Sequence, residues 1–330
     1  MPAQSRLIEG EFSPHDLFRE AAALALCGSP APEHRQQILS GQFRGWMWME
    51  EVHPGLSGSA CDLVTLSDAV IAQPIERSVM IGVHLHGRNG ELAVEGGEAV
   101  SSSLEQSQIV GLGEARKGMR KLFPGDRYVR AGLIVRPSFL EHHGGAVAGN
   151  DLDLVDRLMS PGVHCRALRR CEIMIHLAKA LVETPYTGSL GTLFRESTTT
   201  QMLFQALRLL RADEGCYRQL GKRHYDAVLH AQSLLDAALN APPGTMALAR
   251  QVGLNRNALQ AGFKAVFGTT IFGYVREQRL RMARILIRDH GLGAAEAGYR
   301  VGFRSAAAFS VAFRRAFGHP PSQDASDTRH

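Results

Sequence analysis

Three groups of residues in this chain could do chemistry. The first is His84, His86 and Glu91, spaced HxHxxxxE within GVHLHGRNGELAVEGG. Alternate residues of a strand share a face, so two imidazoles and a carboxylate in this pattern could hold a metal ion. Histidines on a strand surface or in a pocket account for the same pattern with fewer assumptions. The second group is Trp46 and Trp48, spaced for one face of a strand. They could line an aromatic ligand pocket, with His84 and His86 as further candidates, or simply pack. The third group lies near the C-terminus, where amide, hydroxyl and cationic side chains cluster on short amphipathic segments. Amides and guanidiniums reach base edges and phosphates, so this group suggests nucleic acid.

Other chemistry finds little support. Cys165, Cys171 and His176 are spaced by six and five residues, which does not gather them on one helical face. They are expected to be buried free thiols and a histidine. No Ser-His-Asp signature, phosphate-binding glycine loop or CxxC pair occurs. No catalytic residue and no cofactor are expected. Five cysteines without regular spacing suggest reduced thiols and a cytoplasmic protein. No run reaches the ~18 apolar residues of a membrane span, so no membrane partner is expected.

The charge is unevenly spread. The net charge is +5, yet Lys222 to His330 holds fifteen Lys/Arg against seven Asp/Glu. The remainder holds twenty-two against twenty-five. A basic last third joined to a mildly acidic body suits a nucleic-acid-binding domain attached to a domain with another task. A solvated basic surface would look the same.

The elements must place these residues. SPHDLFREAAALAL reads as a helix opened by Ser13 or Asp16. GWMWME, LVTLSDAVIA, SVMIGVHLHG, ELAVEG and RYVRAGLIVR read as strands of a small barrel or sandwich. PSFLEHHG, LDLVDRLM and CRALRRCEIMIHLAKALVE read as helices, the last with Ile173, Leu177 and Leu181 in register. TLFRESTTTQMLFQALRLLRA is a long helix that closes the domain. The fold class is therefore an α+β N-terminal domain, a small cupin-like barrel or sandwich followed by helices, joined to an all-α C-terminal domain. The expected boundaries are 1–211 for the first domain, 212–224 for a polar linker, 225–322 for the basic, nucleic-acid-binding domain and 323–330 for a tail.

Two segments of the last third share one layout. ALARQVGLNRNALQAGFKAVFG has a short helix, a turn at Gly253 and a longer helix from the N-cap Asn255 to Gly268, with Leu259, Phe263 and Phe267 on one face. AAEAGYRVGFRSAAAFSVAFRRAFG repeats this around Gly302, with Phe309, Phe313 and Phe317 and one extra turn residue. The helix between them, IFGYVREQRLRMARILIRDHG, offers Val275, Leu280, Ala283 and Leu286 for burial. Its Arg279, Arg281 and Arg284 suit a solvated face or ion pairs. The phenylalanines are core by their spacing.

On LARQVGLNRNALQAGFKAVFG, REQRLRMARILI and VGFRSAAAFSVAFRRAFGHPP the chain resembles the AraC/XylS transcription regulators. LQAGFK with FGTTIFGY, and FPGDRYVRAGLIVRPSFL with TLFRESTTTQMLFQAL, resemble the ferric-siderophore-sensing branch. The resemblance implies two helix-turn-helix units that place successive reading helices in the major groove. Asn257 and Gln260 then fall on base-reading positions, with Ala261 offering a methyl contact. Asn255 opens this helix, and Arg256 and Lys264 are phosphate candidates. In the second helix Ala306 and Ala307 stand where relatives commonly carry polar residues, and Val311 where many carry Arg. Arg304, Ser305, Ser310 and Arg314 remain for phosphates. The first unit is thus expected to read and the second to hold on. The interior Gly298 looks like a weak point in the second unit.

The implied function is an activator answering to a small ligand, a ferric siderophore in this branch. Double-stranded DNA, RNA polymerase and a small-molecule ligand are the expected partners, and a homodimer is compatible. One alternative is a regulator acting through a protein partner, with another ligand or none. Another is a cupin-type metalloprotein using His84, His86 and Glu91, although the second metal-binding motif of that fold is absent.

Overall fold

The computed structural model describes residues 7–16, 41–87, 91–97, 100–101, 104–143, 152–288 and 291–324. Beyond Asp16 the expected N-terminal helix lies outside them. The chain divides into two compact units, Met1–Asp213 and Glu214–His330.

The first unit is two antiparallel sheets followed by helices. The larger sheet has the order β1-β2-β3-β10-β5-β8-β11, and the smaller β4-β9-β6-β7. The ranges of the larger sheet are β1 Leu7–Phe12, β2 Phe43–His53, β3 Leu56–Thr65, β5 Ser78–His86, β8 Ser107–Leu112, β10 Arg127–Val135 and β11 Val163–Ala167. The smaller sheet holds β4 Ala69–Ile75, β6 Glu91–Val94, β7 Val100–Ser101 and β9 Arg116–Leu122. The helices are α1 Pro137–His143, α2 Asp153–Leu158, α3 Glu172–Val182 and α4 Gly188–Leu220.

Strand parity decides which side chains meet. In β5 the odd residues Val79, Ile81 and Val83 join Ala131, Leu133 and Val135 of β10 in a core with α1, α2, α3 and α4. The even residues face the smaller sheet, as the Met80–Val94 and Tyr128–Leu122 clusters show.

Several expectations need correction. CRA is not helical: Val163–Ala167 pairs antiparallel with β8 as an edge strand. Cys165 is accordingly exposed rather than a buried thiol. In α3 the core takes Met174, Leu177, Ala178 and Leu181, while Ile173 is half exposed. The buried stripe begins one residue later than the Ile173 register because Met174, not Ile173, starts the i, i+3, i+4, i+7 pattern. LVTLSDAVIA is split by Leu66–Asp68 between β3 and β4, which belong to different sheets. Most of 212–224, read as a polar linker, is helical. The division into units falls inside α4, and only Gly221 (φ 76°) separates α4 from the next helix.

The second unit is helical throughout its described residues. It contains α5 Lys222–Ala237, α6 Thr245–Gln251, α7 Arg256–Phe267, α8 Ile271–Arg288, α9 Ala294–Arg300, α10 Ala306–Phe317 and α11 Pro321–Asp324. HPPSQ, read as the stop after the last helix, includes the start of α11. Two separate cores form. Leu248, Leu259, Phe263 and Val266 pack with α5 and the start of α8. Ala297, Phe309, Ala312 and Phe313 pack with the end of α8. Leu280 and Ala283 of α8 belong to the second core, Val275 to the first, and Leu286 is partly buried against the second.

Buried polar ties fix each core to α8. The Tyr274 hydroxyl donates to Asp236 at 2.7 Å, and Gln232 Nε2 donates to Tyr274 at 3.0 Å. Burial pushes the Asp236 carboxyl up to about 6. In the second core Asp324 is buried beneath Arg284 at 2.9 Å and Arg288 at 3.5 Å.

Candidate nucleic-acid interface

Helices α7 and α10 are built alike. Each has twelve residues. Asn255 Oδ1 accepts from the Ala258 amide at 2.8 Å, and Ser305 Oγ accepts from the Ala308 amide at 3.1 Å. Each side chain thereby satisfies one of the four amides a helix start leaves open. Gly268 (φ 70°) and Gly318 (φ 83°) close the helices in the left-handed conformation. The turns match as well: Leu254 N donates to Ala249 O, and Phe303 N to Gly298 O, both at 2.9 Å. From the caps onward residue n of α7 corresponds to n+50 of α10. Before the turns the offset is 49, so the extra residue lies in the second turn, beside Arg304.

The rings of Phe263, Phe309 and Phe313 are fully buried and define the inner faces. The outer face of α7 exposes Arg256, Asn257, Gln260, Ala261 and Lys264, with the capping Asn255 at its start. The outer face of α10 exposes Ala307, Ser310, Val311 and Arg314, with Arg304 and the capping Ser305 before it; Ala306 is half buried. Val311 is 69% exposed, an unusual state for a branched apolar residue mid-helix.

Cations divide into two sets. Arg279 of α8 donates to the carbonyls of Leu239 at 2.7 Å, Gly302 at 2.9 Å and Asn240 at 3.1 Å. It locks the second turn to the loop after α5. Arg281 pairs with Glu277, and Arg284 pairs with Asp324 and lies 4.6 Å over the Phe317 ring. Arg281 and Arg284 thus form ion pairs, as expected, whereas Arg279 bonds to backbone carbonyls instead. Arg256, Lys264, Arg304 and Arg314 have no ion pair among the described residues, and neither does Arg315, which the sequence reading did not single out as a contact. Its position beside Arg314 in FRRAF, Phe313 to Phe317, was the available signal.

The candidates in the first unit separate. Trp46 and Trp48 pack into the helix-covered core, Trp48 fully buried, with the Arg195 guanidinium 5.4 Å over its ring. His84 and His86 lie on the opposite face of the same sheet, so the four do not line one pocket. His84 Nε2 lies 2.6 Å from the His86 carbonyl. Burial holds its pKa down at about 4, against the help of that hydrogen bond, with Arg120 and Arg130 lowering it further. Glu91 begins β6, and its side chain is outside the described ones. Among the described residues no three His, Cys, Asp or Glu are placed to hold a metal. The metalloprotein alternative gains nothing from this arrangement.

Residues 44–220 match the family described as the regulatory protein PchR N-terminal domain. The chain belongs to the PchR family of AraC-type regulators. Residues 248–326 match a helix-turn-helix domain, which spans α7 and α10. The regulatory protein PchR of Pseudomonas aeruginosa is 48% identical over 59 residues, 18% of this chain and 20% of that protein. The HTH-type transcriptional regulator GlxA of Rhizobium meliloti is 35% identical over 98 residues, 30% of each chain. These aligned stretches span less than a third of either relative. A crystal structure of an AraC-type transcriptional regulator from Chromobacterium violaceum is 30% identical, covering 32% of this chain and 94% of that one, with a TM-score of 0.31. No described helix of this PchR-family chain is long and apolar enough to cross a membrane.

Proposed function

We propose that the protein is a sequence-specific DNA-binding transcription regulator without enzymatic activity, acting in the cytoplasm. The carrying observation is the matched pair α7 and α10. Each is capped, anchored by buried phenylalanine, and presents outward cations without ion pairs among the described residues. Such cations meet phosphates, while Asn257 and Gln260 can each pair bidentately with adenine. Ala307 and Val311 give α10 only apolar contacts, suited to thymine methyl groups and groove shape.

The N-terminal unit then serves as the sensor. Membership of the PchR family supports a ferric siderophore as the ligand and activation through RNA polymerase as the output. Iron would arrive within the ligand, so the protein needs no metal site of its own. Ligand binding shifts the chain toward a DNA-competent state. A panel of ferric siderophores tested by thermal shift checks this, since a ligand that binds only the folded chain raises its melting temperature. A flat response across the panel removes the siderophore.

A second reading has its own observation. Leu190, Leu193 and Phe204 of α4 are each more than half exposed. A regulator answering to a protein partner, or to its own second copy, would use such a face. Sedimentation of the chain at rising concentration tests the second copy.

A further inference from the structure

The second unit holds two cores, and both are built on α8. Val275 belongs to the core of α7, and Leu280 to the core of α10. Two cores strung on one helix can bend and twist about it unless a further tie closes the gap. Arg279 stands between these two stretches of α8 and supplies such a tie. Its Nε and Nη2 donate to the carbonyls of Leu239 and Asn240 at 2.7 and 3.1 Å, in the loop after α5. Its Nη1 donates to the Gly302 carbonyl at 2.9 Å, in the turn between α9 and α10. These carbonyls follow the C-terminal ends of α5 and α9, where a helix leaves acceptors open and its dipole favours a cation. The planar guanidinium fork reaches both sides at once, which an ammonium does not.

Gly302 makes the approach close. Both turn glycines hold left-handed backbone, Gly253 at φ 71° and Gly302 at φ 92°. A β-carbon on Gly253 would meet nothing within 4 Å. One on Gly302 would stand 2.6 Å from the Asn240 carbonyl oxygen and 2.8 Å from the Arg279 guanidinium. The two turns are alike in their own geometry and differ in what they touch. The loop that holds Leu239 and Asn240 joins α5 to α6 and moves with the first core. Gly302 leads into α10 and moves with the second.

We propose that Arg279 and Gly302 form a lock that fixes α10 relative to α7, and so sets the register at which the two helices meet DNA. The face of α10 offers few base edges, so the sequence beneath it cannot fix its place in the groove. The lock fixes it from within the protein. Arg279 acts here as a positioning residue, through the carbonyls it holds and not through DNA. The lock itself is a property of the protein's geometry, and its use on DNA rests on the reading above.

Pulsed electron paramagnetic resonance on the full chain without DNA tests the lock, with spin-labelled unnatural residues in place of Ala261 and Val311. These two exposed positions correspond on the outer faces of α7 and α10. The parent should give one narrow distance distribution. Arg279→Met and Gly302→Ala should each widen it at least about twofold, and Arg279→Lys less. Gly253→Ala puts the same backbone strain in open space and should keep the parent's width. Amide exchange of α10 should match the parent in Arg279→Met, which separates loss of the lock from loss of the fold. Single methylphosphonates along a DNA site selected from a random pool then test its use. In the parent, neutral phosphates one helical turn from the base read by Gln260 should each weaken binding about threefold or more. In Arg279→Met that second cluster should flatten while the one around α7 remains. A broad parent distribution, a width unchanged by folded Arg279→Met and Gly302→Ala, or widening only together with faster exchange of α10 overturns the lock. A second cluster as sharp in Arg279→Met as in the parent overturns it as well. A lock that behaves as expected in a chain that selects no DNA stands, and removes the DNA reading instead.

Discussion

The two helix-turn-helix units share a skeleton and differ both inside and outside. Inside, the first unit packs Ala249 against a core that includes Leu259, and the second places Gly298 where Phe309 packs. Gly298 occupies the position of Ala249, and Phe309 that of Leu259. A β-carbon on Gly298 would stand 2.8 Å from Phe309 Cγ. The glycine is therefore room for a ring, not a defect in the helix. Outside, Asn257 and Gln260 of the first unit become Ala307 and Ser310 of the second. The same scaffold thus carries one face with two amide edges and one with a single hydroxyl, Ser310, among apolar side chains. Skeleton and reading surface vary independently, because buried volume constrains the first and solvent exposure frees the second.

The largest expected effect probes what the units share. Phe263→Ala and Phe313→Ala should each cost about 3–5 kcal/mol in a chemical-denaturation measurement, as both rings are fully buried. A large inequality would break the equivalence of the two cores.

Gly298→Ala sharpens the inner difference. Alanine favours a helix by about 1 kcal/mol over glycine, yet here it should destabilise by about 1–3 kcal/mol through the clash with Phe309. Gly298→Ala combined with Phe309→Leu should lose less than the two single changes added. The reverse change, Ala249→Gly, should cost only about 1 kcal/mol. Simple additivity in the Gly298–Phe309 cycle would remove the pairing.

The outer difference predicts smaller, DNA-specific effects. Gln260→Ala should cost about 1–3 kcal/mol of discrimination at one base pair, measured by binding to single-base operator variants. Lys264→Ala and Arg314→Ala should instead weaken all sequences alike and each lower the salt slope by about 1. Asn255→Ala and Ser305→Ala should both cost about 1 kcal/mol of stability, because the caps are equivalent.

What the sequence disclosed follows from how local each signal is. Asn255, Gly268 and the Phe263/Phe313 ladders act within one or two turns, so spacing alone placed them. The role of Gly298 depends on a ring eleven residues away across a turn and was misjudged as weakness. Strands β9 and β11 were missed for another reason. RKGMRKL buries only Gly118 and Leu122, and Val163–Ala167 buries no residue, so neither carries an apolar alternation to read. Parity within β2 and β5 put Trp46 with Trp48 and His84 with His86. Only the sheet order could show that the two pairs occupy opposite faces. The helical character of most of 212–224 was hidden by polar residues and by Gly215, which α4 accommodates.

The division of labour between α7 and α10 is tested most directly by selecting binding sites from a random DNA pool. The sites should show one half with strong base preferences, including an adenine lost from the pattern with Gln260→Ala, and a second half one helical turn away with only weak A/T bias. Two halves of equal information, or a pattern unchanged by Gln260→Ala and altered by Ala307→Gly, would contradict it.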